Sequence, residues 1–188
     1  MNQDGSRKSL EKLIEGNGYY IGASQNPANI SQIRRTETAE HRQEPFAVIL
    51  TCSGSRVPPE HIFSTGIGDL FVVRTAGNVV GDFELGSIEY AVAHLHAPLI
   101  VILGHTHCGA VEAALKLHAG GYIENIVREI QLGLHDAATE DEAIRNNILH
   151  SKQRLLQSKI VGALLAAGEI MLACAVYDIE TGKVDFFQ

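Results

Sequence analysis

The 188-residue chain lacks the marks of several large protein classes. It holds three cysteines, too few and too scattered for a disulfide framework, and two of them sit where metal ligands would, which suits a reducing compartment. Lys and Arg number 15 against 22 Asp and Glu, and the resulting net charge of −7 leaves no basic surplus to meet nucleic acid or an anionic membrane. The densest basic spots, Arg7-Lys8 and Arg34-Arg35, read as solvated side chains. No apolar run approaches the roughly 18–20 residues that a membrane helix requires. Met1 to Ser9 is polar throughout, so it does not read as a signal peptide. There is no internal repeat and no low-complexity segment. With 45% hydrophobic and 20% charged residues, the chain suits one domain over residues 1–188, long enough to bury a real core and expected in the cytoplasm.

Continuous apolar runs carry the strand signal. Phe46–Thr51, Leu70–Val73, Leu99–Leu103 and Ile170–Val176 have no alternation, as expected of parallel strands covered on both faces. Helical patterns fall at Ser9–Gly16, Ile30–Arg42, Glu84–Leu95, Ala110–Leu117 and Glu142–Gln157; the third places Leu85, Ile88, Val92 and Leu95 on one face. Strand and helix in alternation predict an α/β fold with a mainly parallel sheet and flanking helices. A turn over Asp178–Lys183 predicts that Val184–Phe187 returns as an antiparallel edge strand.

Two clusters interrupt this pattern at strand ends. Cys52-Ser53-Gly54-Ser55-Arg56 follows the first strand, and Gly104-His105-Thr106-His107-Cys108-Gly109 follows the third. In open α/β sheets, ligands gather at the carboxyl ends of strands. Cys52 and Cys108 as thiolates, with His105 as a neutral imidazole, form a donor set suited to Zn²⁺ and unsuited to Mg²⁺ or Ca²⁺. Two thiolates bring such a centre to zero net charge. Three protein donors leave a fourth position open, which disfavours a purely structural site. His107 has the wrong spacing to join them; it reads as a polar helix-start residue, with a proton-relay role open. His94, His96, His118, His135 and His150 show no ligand spacing, and Cys174 reads as a small core residue.

These motifs resemble the zinc site of the β-class carbonic anhydrases, whose first motif is Cys-x-Asp-x-Arg and whose second is His-x-x-Cys. The likeness extends through Leu13–Asn17, Pro45–Leu50, Val73–Asn78 and Gly86–Ala91, in the right order, and covers about residues 9–188. It implies a Rossmann-like three-layer fold and a helical arm over about residues 1–44 that crosses to a neighbour. It also implies a homodimer, sometimes a tetramer built from dimers. One Zn²⁺ per chain would be held by Cys52, His105 and Cys108. The reaction implied is reversible hydration of carbon dioxide to bicarbonate, with Gly109 offering a backbone N–H to the substrate and Ala76-Gly77-Asn78 walling the pocket.

One position departs from the family pattern. Gly54 stands where the family has the aspartate that pairs with the arginine, here Arg56, and that orients the reacting water. Glycine can neither accept that hydrogen bond nor swing onto the metal. A weakened lyase is therefore expected, with the zinc left open to water or an added anion. Arg56 should lose its usual partner and recruit another, with Glu60 and Asp82 nearest in the chain. The alternatives are a non-catalytic homologue binding zinc and bicarbonate or another anion, and a hydrolase of a related small molecule such as carbonyl sulfide or carbon disulfide.

Overall fold

A computed structural model describes residues 3–22, 25–117 and 119–187. The apolar runs become β1 (Ala47–Cys52), β2 (Leu70–Thr75), β3 (Leu99–His105) and β4 (Met171–Tyr177), and the chain's last described segment is β5 (Val184–Phe187). The sheet order is β2-β1-β3-β4-β5. The first four strands are mutually parallel and β5 is antiparallel to β4, as the alternating pattern and the late turn predict. Every residue of β1 and β3 is buried, which explains why these two central strands show no alternation.

Two apolar clusters cover the two faces. One gathers Val48, Leu50, Ile100 and Ile102 with Ile88, Ile130 and Ile148 from helices, and the other gathers Ile49, Val101 and Leu103 with Leu13, Ile62 and Phe63. The helices are α1 (Gln3–Gly22), α2 (Gln32–His41), α3 (Pro59–Ile62), α4 (Asp82–His94), α5 (Gly109–Leu115), α6 (Ile123–Leu134), α7 (Glu140–Leu156) and α8 (Lys159–Ala166). None of them is long and apolar enough to cross a membrane.

The N-terminal helix is longer than its periodicity predicts. α1 buries Leu13 and is clamped by Asn17, whose Nδ2 donates to the carbonyls of Ile62 (3.2 Å) and Gly182 (2.8 Å) while its Oδ1 accepts from Val184 N–H (2.9 Å). Gly16 is glycine because a Cβ there would stand 1.9 Å from the Phe63 carbonyl oxygen. The helix approaches α3 too closely for any side chain.

Arg34 also departs from expectation. It is not a free surface charge: its Nε donates to Ile67 O at 2.8 Å and its Nη2 lies 3.5 Å from Asp69, pinning α2 to the loop before β2. α3, α6 and α8 went unpredicted, although α6 carries Ile123, Ile126, Val127, Ile130 and Leu134 at helical spacing. Of the scattered histidines, His94, His96 and His135 are exposed, His150 contacts Glu129 Oε1 at 2.9 Å, and His118 lies outside the described residues.

Candidate metal centre

Adjacent strands deliver the ligands. β1 and β3 run side by side with Thr51 paired to Leu103, so Cys52 and His105, their last residues, reach the same end of the sheet. Cys108 arrives as the residue preceding α5. The donor atoms of Cys52, His105 and Cys108 all lie within 4.8 Å of one another, and all three residues are buried. The cysteines are free thiols, not a disulfide.

The donor set fits zinc on a specific observation. His105 Nε2 is buried without a hydrogen-bond partner, an expensive state unless an ion occupies the space it faces. His105 Nδ1 lies 2.8 Å from the Thr106 carbonyl oxygen. A carbonyl only accepts, so Nδ1 carries the proton and Nε2 presents its lone pair toward the two sulfurs. Thr106 is itself fixed, its N–H donating to Tyr177 O at 3.0 Å and its Oγ1 accepting from Ile179 N–H at 3.1 Å.

Backbone amides stabilise negative sulfur. Cys52 Sγ accepts from Gly54 N–H (3.4 Å) and Gly77 N–H (3.3 Å). The neighbouring Cys108 thiol, donating to Cys52, pulls its pKa well below the ordinary thiol range, with the two amides assisting. The Cys108 thiol is pushed up, first by that same hydrogen bond and then by burial and the Cys52 charge, while the amides of Val111 and Ala110 oppose the shift. Without metal, the pair therefore holds one proton tightly, and zinc must displace it.

Gly77 belongs to a 3₁₀ turn, Ala76–Asn78, in which Gly77 (φ +67°) and Asn78 (φ +48°) are both left-handed. A Cβ on Gly77 would meet Ile130 Cδ1 at 2.7 Å and Ala110 Cβ at 3.1 Å, so glycine is required twice over. Helix α7 grips this turn. Asn147 Nδ2 donates to Gly77 O at 2.8 Å, and Ser151 Oγ donates to Asn78 O at 2.9 Å while accepting from Asn78 Nδ2 at 3.3 Å. Sequence reasoning missed Asn147 and Ser151. Their signal was two polar residues four apart on the stripe of Ala143, Ile144, Ile148 and Leu155 that α7 buries.

The flank at Gly54 is built differently. A Cβ on Gly54 would lie 3.7 Å from both Cys52 Sγ and His105 Nε2 and 3.8 Å from Val57 Cγ2, all ordinary contacts. The backbone does not demand glycine there, and any side chain would start beside the ligands. Arg56 is exposed, and its Nη2 donates to the His107 carbonyl at 3.0 Å. Neither Glu60, in α3, nor Asp82, at the start of α4, pairs with it among the described residues. The replacement acceptor is a backbone carbonyl, and exposure removes the penalty expected for a buried arginine stripped of its partner.

Arg74, to which the sequence reading gave no role, donates from Nε to Cys52 O (3.0 Å) and from Nη2 to Gly54 O (2.7 Å), holding the loop after β1. His107 stays outside the ligand group; its exposed ring faces Glu180 at 3.8 Å and Glu140 at 4.0 Å. Gly109 opens α5 with open space where a Cβ would sit. Cys174, buried in β4, is distant in sequence from the triad and does not join it.

Comparison with known proteins adds an independent line. The sequence pattern of the family described as carbonic anhydrase matches residues 47–184. Carbonic anhydrase 2 of Mycobacterium tuberculosis is 36% identical over 189 residues, covering 91% of this chain and 87% of that protein. A carbonic anhydrase of Mycolicibacterium smegmatis is 37% identical over 185 residues, covering 92% and 89%. Among solved structures, the β-carbonic anhydrase CcaA superposes with a TM-score of 0.73 at 28% identity, covering 95% of each chain.

Proposed function

The chain belongs to the carbonic anhydrase family, in its β class, and we propose that it performs that family's reaction, reversible hydration of carbon dioxide to bicarbonate, on a zinc ion held by Cys52, His105 and Cys108. The observation that carries the reading is the convergence of the two sulfurs on a buried, unpartnered His105 Nε2. When bound, zinc supplies a Lewis acid that makes hydroxide available from water near neutral pH.

The chain's own residues set the conditions for that chemistry. Cys52 and Cys108 as thiolates would neutralise the ion's charge, and the amides of Gly54 and Gly77, which donate to Cys52 Sγ, would draw electron density from that sulfur. Arg56 ties the loop after β1 to the loop after β3 through the His107 carbonyl, so it acts on the site by joining its two halves. Gly109, beside Cys108, offers the substrate a backbone N–H at the start of α5. Gly77 and Asn78 contribute the pocket wall; the Asn78 amide is engaged with Ser151, which supports a role through the shape of the turn.

At Gly54 no side chain accepts a hydrogen bond from the reacting water, so turnover is attenuated. Loss of such a supporting group typically costs on the order of 10–100-fold. Stopped-flow carbon dioxide hydration by the zinc-loaded protein, with Gly54→Asp beside it, tests this. Turnover in the parent and a faster Asp variant are expected. A silent parent with an active Asp variant would favour the non-catalytic anion-binding reading, which the empty flank at Gly54 supports. Silence from both would sink the carbon dioxide reading.

The single domain over residues 1–188, the cytoplasmic location and the homodimer, with the tetramer as its doubled form, belong to the same proposal. The dimer is supported by apolar side chains left in solvent near the N-terminal segment and α4: Ile30, Ile33 and Phe83 are 68%, 71% and 89% exposed. Light scattering coupled to size exclusion would overturn it by returning a monomer.

A further inference from the structure

Asn147 sits among core residues on α7 and is 1% exposed. Its Nδ2 donates to Gly77 O at 2.8 Å, while its Oδ1 is buried with no partner. An amide kept half-satisfied in an apolar stripe is costly, which points to a task for its donor. That donor reaches the carbonyl of the residue whose own N–H bonds Cys52 Sγ at 3.3 Å. The turn between them is left-handed at Gly77 and Asn78, and Ser151, one helical turn along α7, holds its other end. Ile130 and Ala110 wall Gly77 on the side where a Cβ would project.

On the reading of the triad as a zinc centre, we infer that Asn147 is a positioning residue for the metal, aiming the Gly77 N–H at the Cys52 sulfur. It touches neither ligand nor substrate. Its carbonyl contact fixes the peptide orientation of a turn that, unbraced, would relax away from its strained left-handed form. The Cys52 thiolate would then lose one of its two amide donors, and both the strength and the electronic character of the metal–sulfur bond would change.

The test compares the parent with Asn147→Leu, which keeps bulk but has no donor, and with Ile148→Val, a core change on the same helix that leaves the hydrogen bond intact. Zinc release to a chromogenic chelator and the thiolate-to-cobalt charge-transfer band of the Co²⁺-substituted protein are read alongside the unfolding midpoint of the metal-free form. Asn147→Leu is expected to release zinc on the order of 10–100-fold faster and to shift the cobalt band. Ile148→Val should release zinc at the parental rate whatever its loss of midpoint. Should Asn147→Leu fail to fold, Asn147→Ser, whose hydroxyl is too short to span to Gly77 O, takes its place with the same expectation.

Parental release and an unmoved band in the Asn147 variant would overturn the inference. So would equal acceleration in Ile148→Val, because the effect would then follow stability alone. Failure of the parent to bind one metal per chain would instead defeat the zinc reading on which the inference rests.

Discussion

The two flanks of the metal centre are built to different standards. On the Gly77 flank the groups that shape the turn are buried and braced: Cys52 Sγ by an amide, that amide's residue by Asn147, and the rest of the turn by Ser151, with only Asn147 Oδ1 left unpartnered. On the Gly54 flank the backbone is open, a Cβ would meet nothing closer than 3.7 Å, and Arg56 lies exposed on a single carbonyl. On the proposed function, the first flank would hold the metal and the second would face the reacting water. On that reading, holding and orienting are separable in this fold. A chain with no side chain at position 54 could then keep the machinery that binds, because the hydrogen bonds of the two flanks meet only at Cys52 Sγ, which accepts from both Gly77 and Gly54 N–H.

Removing a ligand that both flanks serve should have the largest effect. His105→Ala removes one of three donors and should drop zinc content from one per chain to near zero, measured by elemental analysis after dialysis.

Next is Gly54→Asp, which would make the flanks alike. It should raise carbon dioxide hydration on the order of 10–100-fold with little change in melting temperature, since the Cβ fits without strain. A large loss of stability would show that the open flank is closed to side chains after all.

Gly77→Ala tests the strained turn. Its Cβ would collide with Ile130 Cδ1 at 2.7 Å in a left-handed conformation, and a loss of about 1–3 kcal/mol is expected by denaturant unfolding.

The pH dependence follows from the pair of thiols. Cys108 holds its proton above the usual thiol range in the metal-free state, so binding must expel it. Zinc affinity should rise about tenfold per pH unit through neutrality and fall equally on acidification, as read by chelator competition.

The smallest effect belongs to Arg56→Ala. It removes one exposed hydrogen bond and should cost less than about 1 kcal/mol of stability.

The parallel strands were legible because β1 and β3 are apolar at nearly every position, a pattern that only a doubly covered strand requires. The ligands were legible because the His105-x-x-Cys108 pair and Cys52 fall at the ends of two predicted strands, where ligands of open α/β sheets gather. α6 was overlooked despite its periodicity, with Gly120-Gly121 before it and Gly133 within it. Arg34 and Arg74 were unreadable for a different reason. Arginine on an acidic chain looks solvated until the fold shows which carbonyls it reaches, Ile67 for one and Cys52 and Gly54 for the other.

The sequence by itself determined the fold class and the donor set, because each depends on residue type and order along the chain, and its resemblance to the family marked the glycine at position 54 as a departure. Only the tertiary structure decided that Arg56 turns to the His107 carbonyl, that Gly54 has room for a side chain, and that Asn147 stands behind Gly77. Those facts depend on which groups meet across 50 to 70 residues of chain, and hydrogen-bond partners at that separation are set by how helices pack on the sheet, which no local pattern encodes.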